Sequence, residues 1–61
     1  MPNSRYLAAL RQLDLLRDER QKYARQERLY VKLAYVYGCT VPQISMRTGI
    51  PLRHVREILL S

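Results

Sequence analysis

The placement of glycine and proline constrains this chain more than any other feature. Neither occurs from residue 4 to residue 37, and then Gly38, Pro42, Gly49 and Pro51 follow in close order. Nothing local stops a helix over the first stretch, while the second is punctuated at the intervals of short helices. The expected fold is all-α and a single domain over residues 1–61. An N-terminal amphipathic helix lies within residues 4–25, and a three-helix unit follows over residues 26–61.

Periodicity refines this division. In the first segment, about residues 4–17, Tyr6, Ala9, Leu10, Leu13 and Leu16 share one arc at helical spacing, and Arg5, Arg11, Asp14 and Asp18 fall mostly elsewhere. Asn3 or Ser4 is placed to cap this helix. Residues 17–28 are nearly all charged or amide, with Tyr23 and Ala24 alone for burial. Pairs such as Asp18 with Lys22 support helix by only about 0.2 to 0.5 kcal/mol each, so no break can be located there. Residues 29–37 alternate like a strand at Val31, Leu33, Tyr35 and Tyr37 and repeat like a helix at Leu29, Leu33 and Val36. Gly38, at a helix terminus, decides for helix, and the tyrosines near it are expected to pack rather than stack on bases.

After Gly38, Thr40 and Gln43 stand at the spacing of a capping box, in which the Thr40 hydroxyl accepts from the Gln43 amide and the Gln43 side chain reaches back. Pro42 suits a first helical turn, where its missing N–H is no loss. A helix is therefore expected over residues 41–48. Gly49 supplies a turn with positive φ, and Ile50 and Pro51 lead into a last helix over about residues 51–60. Ile44, Ile50, Val55, Ile58 and Leu59 form one seam between these helices, with Leu29, Leu33 and Val36 closing the core. A small side chain is needed at Ser45, where the helices cross.

Residues 41–60 resemble the helix-turn-helix of bacterial and phage regulators, with Ile44, Ser45, Gly49, Ile50, Val55 and Ile58 at the diagnostic positions. The tract over residues 37–45 is similar to part of sigma-factor C-terminal domains, resolvase DNA-binding domains and Mor-type phage activators. The resemblance spans roughly residues 29–60 and leaves the first helix without a family assignment. Two residues depart from the pattern. Ser45 stands where Ala is usual, tolerable if its hydroxyl bonds the carbonyl four residues back. Pro51 replaces a capping Ser or Thr, which removes a hydroxyl able to meet a phosphate.

The resemblance implies sequence-specific binding of double-stranded DNA by a small transcriptional regulator, with the last helix in the major groove. Arg53, His54, Arg56 and Glu57 are the candidate base contacts. Arginine donates a bidentate pair to guanine, and a carboxylate accepts from cytosine N4. Glu57 is equally placed to orient Arg53 one turn earlier. Thr40, Gln43 and Arg47 are the candidate phosphate contacts. The balance of 11 Lys plus Arg against 5 Asp plus Glu, net +6, suits a polyanion. Both halves share it, since residues 1–37 hold 8 cations against 4 acids and residues 38–61 hold 3 against 1.

A twofold site is read by two copies, and the stripe of Tyr6, Ala9, Leu10, Leu13 and Leu16 is expected to pair with its counterpart in a homodimer. The alternative is that this stripe folds back on its own three-helix unit. One His, one Cys and no paired carboxylates argue against an enzyme, a metal site or a cofactor. Cys39 alone cannot form an internal disulfide, and no run of 18 apolar residues occurs, so a cytoplasmic protein without a membrane span is expected. Two other readings stay open. One is a helical antirepressor or RNA-polymerase-binding inhibitor acting on protein, and the other, weaker, is a membrane-surface peptide.

Overall fold

A computed structural model describes residues 4–61 of the chain. Its helices are α1 (Ser4–Asp18), α2 (Arg20–Tyr23), a 3-10 turn (Ala24–Gln26), α3 (Glu27–Val36), α4 (Val41–Thr48) and α5 (Leu52–Leu60). Every regular element among the described residues is helical, and residues 4–37 hold neither glycine nor proline. Asn3, one of the two capping candidates, lies outside the described residues; Ser4 is already the first residue of α1.

The helix expected over residues 4–25 is divided. Glu19 leaves helical geometry at φ −130° and ψ 54°, and Tyr23 does so at φ −107° and ψ 14°. The departure costs little because the ladder survives it: the Glu19 amide donates to Leu15 O at 2.8 Å and the Tyr23 amide to Glu19 O at 3.1 Å. Asp18 and Lys22 do not pair: Asp18 accepts from Arg17 Nε at 3.0 Å, and the Lys22 ammonium lies 5.6 Å from the Tyr23 ring centroid.

The bend lets α1 turn its apolar stripe onto the rest of the chain. α1 packs against α3 and α4, and α5 packs against the same two helices. Ala9, Leu13 and Leu16 are buried within this one chain, with Tyr6 and Leu10 packed at their edge. The stripe expected to form a dimer is therefore core, and the fold-back arrangement is the one adopted. The physical reason is area: three short helices leave α3 and α4 an apolar side that water would otherwise cover, and α1 is the nearest surface able to exclude it.

On α3 the covered face also differs from expectation. Val31 and Ala34 are buried, whereas Leu29 is 54% exposed and Val36 72% exposed. Apolar residues surround most of α3, so a stripe at residues 29, 33 and 36 is not unique. The face bearing the small Ala34 is the one that lies against the core. The remaining expected core residues are buried as read: Ile44, Ile50, Val55 and Ile58, with Leu59 at the edge.

Both chain reversals are built by glycine. After α3 the Gly38 amide donates to Tyr35 O at 3.2 Å and the Cys39 amide to Ala34 O at 2.9 Å. This is the paired closure of a Schellman terminus, with Gly38 at φ 112°. After α4, Gly49 adopts the left-handed conformation at φ 76° and its amide donates to Ser45 O at 2.9 Å. No helix among the described residues is long and apolar enough to cross a membrane.

Candidate nucleic-acid interface

Two hydroxyls hold the turn that sets α5 against α4. Ser45 Oγ donates to Ile50 O at 2.6 Å, across the turn rather than to the carbonyl four residues back. Thr48 is buried, donates to Ile44 O at 2.7 Å and accepts from the Ile50 amide at 3.1 Å. Without that hydroxyl the Ile50 amide would be a buried donor lacking a partner. Thr48 is the structural residue that reading the sequence missed; its signal was a hydroxyl directly before the turn glycine. Arg20 Nη2 adds a bond to Thr48 O at 3.3 Å, tying α2 to the same turn.

With Val55 and Ile58 buried and Leu59 packed at the edge of the core, the rest of α5 faces solvent. Arg53, His54, Arg56 and Glu57 are all exposed. Among the described residues no hydrogen bond, ion pair or ring contact engages Arg53 or Arg56. The other two are partnered. His54 Nε2 lies 3.1 Å from Glu27 Oε1, and because a carboxylate only accepts, Nε2 is the donor of this bond. His54 Nδ1 is 3.9 Å from Glu57 Oε2, so Glu57 is oriented toward His54 and not, as its spacing allowed, toward Arg53.

The phosphate candidates are more fully committed than their spacing suggested. The capping box at Thr40 forms on both sides: the Gln43 amide donates to Thr40 Oγ1 at 3.2 Å, and the Thr40 amide donates to Gln43 Oε1 at 3.3 Å. Gln43 Nε2 donates in turn to Tyr6 Oη at 2.8 Å. Pro42 has no N–H, so Val41 carries the one amide of that first turn not taken up by the cap. Arg47 Nη1 is bonded to both carboxylate oxygens of Asp14, at 3.2 and 3.0 Å. Gln43 and Arg47 thus brace α1 against α4, so both candidate phosphate contacts already have partners within the chain; the exposed Thr40 spends its hydroxyl on its own helix.

At α5 the opposite holds. Its N-cap residue Pro51, at φ −55° and ψ 143°, provides no side-chain cap, as the departure at this position implied. Cys39, expected to be an ordinary turn residue, is buried, and that burial pushes its thiol up from the ordinary range against a smaller opposing effect of Arg47.

No protein-family model matches this chain, and no curated protein or solved structure matches it either.

Proposed function

We propose that the chain binds double-stranded DNA through α5, as a small transcriptional regulator of the helix-turn-helix type. The observation that carries this reading is the outer side of α5, where Arg53 and Arg56 are exposed and, among the described residues, without an internal partner. Asp14, Asp18 and Glu27 each lie against another basic side chain. Two guanidinium groups one helical turn apart on a rigid helix fit the geometry of guanine O6 and N7 in the major groove, each bidentate pair discriminating by about 1 to 3 kcal/mol. Of the four expected base readers these two lead; His54 and Glu57 shape the edge of the surface.

Replacing Arg53 and Arg56 together by Ala tests this. Fluorescence anisotropy with a duplex selected from a random pool should show binding weakened at least tenfold, with helical circular dichroism unchanged. Unaltered binding by the folded variant defeats the assigned surface.

A twofold site still calls for a second copy. Its contact must use apolar surface other than the α1 stripe, and Leu29 and Val36 on α3 are bare. Sedimentation showing monomer alone at micromolar concentration, with and without duplex, removes the dimer. The same bare residues favour a second reading, an antirepressor or polymerase-binding inhibitor that grips protein. Capture of a protein partner that persists in the Arg53 and Arg56 double variant would support it. A cytoplasmic location belongs to either reading.

A further inference from the structure

The phosphate contacts expected from residue types alone sit on α4 and its cap. The fold brings together a different set. Beside α5 a groove of about 390 Å³ runs along the start of α3, lined by Ala24, Arg25, Glu27, Arg28, His54 and Ile58. Arg25 and Arg28 are three residues apart where the 3-10 turn passes into α3, a spacing that puts neighbouring side chains on one side of a helix. Both line the groove, and among the described residues neither has a hydrogen bond, ion pair or ring contact. The one acid in the groove, Glu27, is 29% exposed at its side chain and bonded to His54, so it faces the ring and not either arginine.

We propose that Arg25 and Arg28 form a second anion site that holds a backbone phosphate of the DNA bound by α5. The inference rests on the reading given above and adds to it a positioning contact from a different helix. The geometry follows from sizes. A helix of roughly 10 to 12 Å diameter fills a major groove about 12 Å wide, so the phosphates bordering that groove lie to either side of α5. α3 packs against α5, and the groove that Arg25 and Arg28 share with His54 and Ile58 opens along one flank of α5, the side on which a phosphate bordering the major groove would lie. His54 joins the two surfaces, since it lines the groove and is the chain neighbour of Arg53. Each guanidinium can bind phosphate in a planar bidentate manner, and such a contact is indifferent to base identity. Arg25 and Arg28 therefore supply affinity and register, whereas Arg53 and Arg56 supply discrimination.

The test compares the intact chain with the double variants R25A/R28A, R25K/R28K and R53A/R56A, each titrated at several salt concentrations against a selected duplex and a random-sequence duplex. R25A/R28A should weaken binding to both duplexes by the same factor. It should also flatten the log–log salt slope by about 0.9 for each phosphate no longer neutralised. R25K/R28K should restore the slope, and R53A/R56A should reduce the ratio between duplexes. If the intact chain binds DNA and R25A/R28A leaves slope and affinity unchanged, the second site is refuted while the α5 reading stands. Should the intact chain bind neither duplex, the α5 reading falls and this site with it.

Discussion

Two apolar stripes, one on α1 and one on α3, have nearly the same spacing and opposite fates. Tyr6, Ala9, Leu10, Leu13 and Leu16 read as a surface for a second copy and are the core; Leu29, Leu33 and Val36 read as core, and two of the three are more than half exposed. Periodicity says which side chains share a face. It does not say what covers that face, because the covering surface is contributed by residues distant in the chain. The bend at Glu19 settles the matter by turning α1 back over α3 and α4.

The comparison breaks first at Leu13, which is fully buried. Leu13→Ala should cost about 2 to 5 kcal/mol, a large part of the roughly 3 to 9 kcal/mol available to a chain of this length. Chemical denaturation followed by circular dichroism should show the folded baseline shortened or abolished; a shift of under about 1 kcal/mol would mean that α1 is not integral to the core.

Gly38→Ala should come next. A left-handed conformation costs an L residue about 1 to 2 kcal/mol, and the added Cβ would stand 3.5 Å from Tyr6 Cδ1, ordinary contact without a clash. Denaturant midpoints should fall accordingly; no change would show that the α3 terminus does not require positive φ.

The brace between α1 and α4 sharpens the picture at a smaller scale. Asp14 and Arg47 are each about a third exposed or more, so Asp14→Ala should cost only about 0.2 to 1 kcal/mol. A double-mutant cycle with Arg47→Ala measures it, and a coupling near zero would leave the α1 stripe and the Gln43–Tyr6 bond to hold α1 against α4. Smallest of all, Leu29→Ser should fall within about 0.5 kcal/mol in the isolated chain, and a cost above about 2 kcal/mol would return the α3 stripe to the core.

Legibility followed the range of the interactions. The capping box at Thr40 and Gln43, the left-handed Gly49 and the seam of Ile44, Ile50, Val55 and Ile58 are local or nearly so, and all were readable from residue types at fixed offsets. The bend at Glu19 was not, because a polar run without glycine or proline carries no stop signal and keeps its backbone bonds through the turn. Gln43 and Arg47 illustrate the same limit at the candidate interface. Their type and position suited a phosphate, but Tyr6 and Asp14, separated from them by more than thirty residues, had already engaged them.

By itself, then, the sequence determined the helical class, the cap and turn around α4, and the inward side of α5, since each depends on sterics and hydrogen bonds within a few residues. Tertiary structure alone decided that α1 closes the core, that α3 leaves Leu29 and Val36 bare, and that Arg25 and Arg28 lie beside His54. Those outcomes depend on how surfaces far apart in the chain compete to exclude water from one another.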